Sequence, residues 1–281
     1  MILTDLLALV SRTFAWLLIA TLVSTASFST RCTYDAAYIL ANCSNRNIVS
    51  IPWWLHKKII TLDLSGNYFP VLKSRSFIGF NYINQLYLKH NSIQYLEDEA
   101  LQDLVYLRVL DLSINLLSHL PTSALKYVSL SLTQLDLSGN RIQVINKGAF
   151  KDLKNLKILE LNGNSISRID TGGLSGLSSL NVLNLRQNAL CTLPCDVFSE
   201  FSSTIEIIQL YDNQWMCDCN SRWLRTWLNN TNQEVWNADG YFIRCNGPSI
   251  VKDKPLNSLL LDELECEVRM KLGSSTELLC K

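Results

Sequence analysis

Cysteine supplies most of the reactive side chains in this 281-residue chain. Cys217, Cys219, Cys245 and Cys266 gather late in the sequence, and Cys32 and Cys43 stand near its start with ten residues between them. Thiols so grouped can cross-link or hold zinc. The Cys217-x-Cys219 spacing is tighter than the C-x₂₋₄-C of zinc sites. Nine cysteines are more than a cytosolic chain of this size usually carries, so the preferred reading is a disulfide framework. Spacing alone allows all three pairings of the late four, and an odd total leaves at least one cysteine over. Cys191 and Cys195 are candidates for a local bridge, provided the chain turns tightly enough to bring their Cα atoms within ~7 Å. Cys280 has no obvious partner. It is read as a free thiol, a link between two copies of the chain, or the start of a region that this chain lacks.

No comparable grouping points to catalysis. His56, His90 and His119 fall in different structural units, and G-x-S-x-G, G-x-G-x-x-G, H-E-x-x-H and a phosphate loop are all missing. The expectation is a protein that is not an enzyme, with no cofactor and no metal. Twenty-five basic against 25 acidic residues argue against nucleic acid, which calls for a surplus of Lys and Arg. A hydrophobic content of 48% excludes general disorder.

The first residues read as an address. Arg12 precedes an apolar run from Phe14 to Val23, and small Ser24 and Ala26 fit a cleavage site. Residues 1–26 are therefore expected to be a signal peptide, although Asp5 and Arg12 also leave a signal anchor as a competing reading. No later window offers the ~18 apolar residues of a spanning helix. The expected location is secreted or extracellular, where cysteines oxidise.

The elements that position these residues come from a repeat. Asn67, Asn91, Asn115, Asn140, Asn164, Asn188 and Asn213 recur at intervals of 24 or 25 residues, each after a motif of the type Ile59-x-x-Leu62-x-Leu64. Six copies keep apolar residues 2, 5, 10 and 13 positions after the asparagine, as in Ile142, Ile145, Phe150 and Leu153. This is the leucine-rich-repeat pattern, and it accounts for the abundance of leucine. Period-2 alternation makes Leu62-x-Leu64 a short strand with leucines inside. Successive strands run parallel, so each copy must cross back over a dozen or more residues. The asparagine amide can donate and accept in the turn that follows. The fold class is an α/β leucine-rich-repeat solenoid: a curved parallel sheet of about seven repeats, with extended or short 3₁₀ segments on the convex side.

Open solenoid ends expose core and strand edges. Trp223, Leu224, Trp227 and Leu228 lie at helical spacing and would lay an apolar face over the last repeat. Together with the late cysteines, this segment resembles the C-terminal cap of extracellular leucine-rich-repeat proteins. Cys32 and Cys43 resemble the matching N-terminal cap, in a two-cysteine form like that of several Toll-like receptors, although no Toll-type intracellular domain is found. The resemblance implies bridges Cys217–Cys245 and Cys219–Cys266, with Cys32–Cys43 at the other end. The domain expectation is a leader at 1–26, an N-terminal cap at 27–58, repeats at 59–213, a C-terminal cap at 214–268 and a tail at 269–281.

Side chains between and after the strand leucines should carpet the concave face. One column reads Asp63, Tyr87, Asp111, Asp136, Glu160, Asn184 and Gln209; the next reads Ser65, Lys89, Ser113, Ser138, Asn162, Arg186 and Tyr211. With strands ~4.8 Å apart, Asp111, Asp136 and Glu160 repel one another and favour a basic partner. The competing reading is that aspartate at this place serves only solubility or local hydrogen bonding. Tyr87 and Tyr211 are candidate aromatic anchors. Lys89, His90, Arg186 and Gln187 complete the candidate ligand-binding set. Sequons at Asn42 and Asn229 are candidate glycosylation sites, neither expected on a concave strand. The expected function is extracellular protein recognition, in adhesion or receptor–ligand binding, with a protein ligand or cell-surface receptor as partner. The alternatives are an innate-immune protein that binds microbial ligands and a structural matrix component.

Overall fold

The computed structural model describes residues 32–35, 37, 39–232, 236 and 241–266. The expected signal peptide, the 269–281 tail and Cys280 lie outside these residues. Nine strands form the main sheet. Thr33–Tyr34 and Leu40–Asn42 pair antiparallel. Next in space come Thr61–Asp63, Gln85–Tyr87, Val109–Asp111, Gln134–Asp136, Ile158–Glu160, Val182–Asn184 and Ile207–Gln209, all parallel. Each of these seven strands has a buried central residue between two half-buried neighbours, except that Asn184 is buried as well. The alternation follows from the pleat, which sends successive side chains to opposite faces.

Opposite the sheet the chain is mostly turns. Two short parallel pairs, Val71–Leu72 with Tyr95–Leu96 and Val144–Ile145 with Arg168–Ile169, a short α-helix at Thr122–Leu125 and 3₁₀ turns at Lys126–Val128 and Ser199–Phe201 interrupt them. Between the two sides the apolar framework positions stack into one core. Phe77, Leu101, Leu125, Phe150, Leu174 and Phe198, ten residues after successive asparagines, are all buried.

The framework asparagines tie the copies together. Asn140 donates from Nδ2 to Leu112 O of the preceding copy and to Leu137 O of its own, both at 3.0 Å. Its Oδ1 accepts from Leu117 N at 3.0 Å. Asn115, Asn164, Asn188 and Asn213 repeat the donation, each to one leucine carbonyl of its own copy and one of the copy before. These carbonyls lie one residue past the strands, inside the core, where an unpaired polar group is costly.

Both ends of the core are covered. The antiparallel Thr33–Tyr34 strand closes one sheet edge, and a Cys32–Cys43 disulfide ties it down. Cys43 stands 24 residues before Asn67, and its carbonyl accepts from Asn67 Nδ2 at 2.9 Å, so the cap enters the asparagine ladder at its first rung. At the other end the helix Arg222–Asn230 buries Leu224 and Leu228, and Trp223 and Trp227 pack on Phe198 with ring centroids 5.9 and 4.8 Å away. On its outer side Arg222 Nε and Arg225 Nε donate to Leu264 O and Leu259 O, at 3.0 and 2.8 Å, which fastens the last described segment to the helix. Disulfides Cys217–Cys245 and Cys219–Cys266 join the same parts, as the resemblance implied. Among the described residues no helix is long and apolar enough to cross a membrane.

The local Cys191–Cys195 bridge is not formed. Cys191 is buried and disulfide-bonded, whereas Cys195 is a free, exposed thiol. The reason lies in the chain between them. Cys191 and Leu193 are buried with half-buried residues between and after them, so the segment runs extended and separates the two sulfurs instead of turning back.

Two outcomes are expected. Asn140→Ala leaves the buried Leu117 N–H without its acceptor and removes one of two amide donors from Leu112 O, which keeps Asn115, and from Leu137 O, which keeps Asn164, so urea unfolding should show a loss on the order of 2 kcal/mol; a loss under about 0.5 kcal/mol would mean that water replaces the amide. Alkylation of the native, unreduced protein should modify Cys195 and none of the six cap cysteines, as read by peptide mass mapping.

Candidate functional site

Sheet register decides which side chains meet on the strand face. Asn42, Asp63, Tyr87, Asp111, Asp136, Glu160, Asn184 and Gln209 stand opposite one another in unbroken succession. Asp111, Asp136 and Glu160 are thus immediate neighbours. All three are half-buried. Among the described residues no ion pair reaches any of them.

The aspartates also have local work. Asp63, Asp111 and Asp136 each accept, through Oδ1 at 2.8 Å, the backbone N–H two residues on, from Ser65, Ser113 and Ser138. Such a turn stiffens the strand end and satisfies one oxygen. Burial pushes the carboxyls of Asp136 and Glu160 above their ordinary pKa. Asp111 adds to the rise at Asp136, and Asp136 adds to it at Glu160. Hydrogen bonds from Ser138 and Asn184, and the charges of Lys89 and Arg186, act in the opposite sense. The result is a carboxylate row that would gain by a cation placed over it.

The remaining candidates divide. Lys89 and His90 are exposed beside Tyr87, which is half-buried and donates from its hydroxyl to Gln85 at 3.2 Å. Tyr211, expected as an open aromatic anchor, is only 6% exposed. Its ring stacks on Tyr241 of the C-terminal cap at 4.7 Å, and its hydroxyl accepts from Arg186 at 2.6 Å. Sequence spacing put Tyr211 in one column with Arg186 but carried no sign that Tyr241, thirty residues later, would cover it. Gln187 is exposed at the same strand-end position as His90. Asn42, expected off the concave strands, ends a strand and lies in line with Asp63. Its side chain accepts from Ser44 N and Oγ at 3.0 and 2.8 Å. Asn229 is exposed near the end of the cap helix.

Two features of the face escaped the sequence reading. First, the opening residue of each strand shares the face with the third. Ile158, Val182 and Ile207 therefore form a half-buried apolar run beside Glu160. The period-2 rule that found Glu160 would also have found them. Second, the residue before each framework asparagine has a left-handed backbone: Gly66, Gly139 and Gly163, but also His90, Ile114, Gln187 and Asp212. Outside glycine this conformation costs on the order of 1 kcal/mol, and it is rarest for a β-branched side chain. Ile114 nevertheless holds it at φ 52° with 48% of its surface exposed, between His90 and Gly139 along the edge of the face.

The comparisons agree with this architecture. The leucine-rich-repeat family model matches residues 57–128 and 131–190. Human Toll-like receptor 8 is 32% identical over 133 residues, which cover 42% of this chain and 12% of that protein. Mouse nephrocan is 32% identical over 178 residues, 63% of this chain and 29% of that protein. Human leucine-rich repeat-containing protein 3B is 46% identical over 69 residues, 25% of this chain and 27% of that protein. The chain thus spans less than a third of the length of these relatives. The crystal structure of human 5T4, trophoblast glycoprotein, has the same fold at a TM-score of 0.62, with 24% identity over 84% of this chain and 97% of that one.

The raised carboxyls of Asp136 and Glu160 set a sign. Over the window from the ordinary carboxylate pKa up to the raised one, the folded chain keeps protons that the unfolded chain has released, so each group lowers stability as pH rises through it. Asp136→Asn and Glu160→Gln should therefore raise the melting temperature near neutral pH. The gain should vanish below the ordinary carboxylate range; an equal gain at both pH values would exclude an electrostatic origin.

Proposed function

The chain is a leucine-rich-repeat protein closed by disulfides near its ends, and from that premise we propose that it is an extracellular protein-recognition module, acting in cell adhesion or receptor–ligand binding. The strand face is the binding surface, and the partner is a protein ligand or cell-surface receptor with a basic patch. The observation that carries this reading is the row Asp111, Asp136 and Glu160, neighbours in register, half-buried and without an ion pair among the described residues. A lone carboxylate of this kind is explained by its turn hydrogen bond. Three in line, two of them pushed toward the neutral form, are an electrostatic cost that a cationic partner would reverse. Ile158, Val182 and Ile207 would supply apolar contact beside the charges, and Ile114 would add an exposed side chain at the edge. Secretion is part of the proposal, supported by the leader-like first 26 residues and by three disulfides, which form and persist in oxidising compartments.

The innate-immune alternative draws support from the match to Toll-like receptor 8. Binding of the secreted chain to intact microbes, but to no cell-surface protein, would favour it.

A screen of the secreted chain against an arrayed panel of cell-surface and secreted proteins identifies the partner. The variant Asp111→Asn/Asp136→Asn/Glu160→Gln should then weaken binding at least tenfold and flatten its salt dependence. Unchanged affinity would place the partner on another surface.

A further inference from the structure

A second face of the solenoid is apolar where such a face should be polar. At the corner between the outer turns and the strands, the early copies expose Tyr82, Tyr106 and Leu130, at 57%, 61% and 87%. Val105, beside Tyr106 in the chain, is 52% exposed. The corner is continuous, because side chains bridge neighbouring copies along it. Lys57 Nζ donates to Ile78 O at 3.3 Å, Asn84 Nδ2 to Tyr106 O at 3.2 Å, and Asn155 Nδ2 to Leu130 O at 2.9 Å. In the later copies the same position, fifteen residues after the framework asparagine, is Asn155, Ser179 and Ser203. The repeat therefore folds without apolar residues here, and its own core does not account for them.

Size and charge say what fits. With about 200 Å² of surface per aromatic side chain, Tyr82 and Tyr106 leave on the order of 200 Å² open, and Val105 and Leu130 extend it. Together they reach the scale of the largest patch on an ordinary monomer. The rim is mostly basic: Lys57 and Lys58 at one end, Lys126 and Lys154 at the other and Arg108 beside the strands are exposed, against a half-buried Asp103 and an exposed Asp152. Two copies pairing antiparallel through this face would bring lysine ends together, which disfavours a homodimer. We infer that this corner is a docking surface, separate from the strand face, for a protein segment with an apolar or aromatic centre flanked by acidic residues. Neither sequon, Asn42 nor Asn229, falls between Lys57 and Leu130, so no glycan at these sites is attached to the corner itself.

Selection of a random twelve-residue peptide display library on the secreted chain tests this. Peptides with Asp or Glu around an aromatic or aliphatic centre should be enriched. Tyr82→Ser/Tyr106→Ser/Leu130→Ser should weaken them at least tenfold, as should Lys57→Glu/Lys58→Glu, with the melting temperature retained. Asp111→Asn/Asp136→Asn/Glu160→Gln should leave them unchanged, which separates this surface from the strand face. No enrichment, peptides without acidic residues, or peptides indifferent to Tyr82→Ser/Tyr106→Ser/Leu130→Ser would overturn the inference. So would phosphatidylserine vesicles whose capture that triple variant removes, or a dimer in sedimentation that it abolishes.

Discussion

One amide, repeated seven times, sets the terms on which this chain folds. Each strand is only three residues long, and the leucine just past it carries a buried carbonyl outside the strand ladder; an asparagine three residues beyond reaches that carbonyl and the matching one in the copy before. The same geometry fixes the spacing between copies. It also shows how the first rung is completed: Cys43 stands in register with Leu64, where later copies have a leucine, offers its carbonyl to Asn67, and spends its own side chain on the disulfide that closes the end.

With the ladder fixed, the surfaces acquire their character almost independently of the core. Register turns a column of sequence positions into a column of touching side chains, which is how Asp111, Asp136 and Glu160 become a shared electrostatic burden and not three unrelated acids. The left-handed residue before each asparagine is a second consequence of the same turn. Glycine suits it, and the copies that place His90, Ile114 or Gln187 there accept backbone cost for an exposed side chain. The outer corner obeys the same logic, because a position that is serine in one copy and tyrosine in another is free to be chosen for what it meets.

Much of the fold was legible because the repeat is written in the sequence at a fixed interval. Leucine alternation identified the strands, the positions 2, 5, 10 and 13 residues after each asparagine identified the core, and Trp223, Leu224, Trp227 and Leu228 announced the capping helix. The acidic column was legible for the same reason. What escaped were contacts between segments far apart in the chain. Tyr241 covers Tyr211, the extended run after Cys191 separates it from Cys195, and Asn42 turns out to end a strand of the sheet. No local spacing encodes any of these.

The sequence by itself determined the period, the inner and outer sides of every copy and the positions of the cysteines, because each depends on residues a few places apart. Tertiary structure alone decided which faces remain open. A side chain stays exposed only if nothing from elsewhere in the chain settles on it, and that depends on how the caps fold back. Tyr211 lost its place on the strand face to the C-terminal cap, whereas Tyr82, Tyr106 and Leu130 kept theirs because nothing in the described chain packs over that corner.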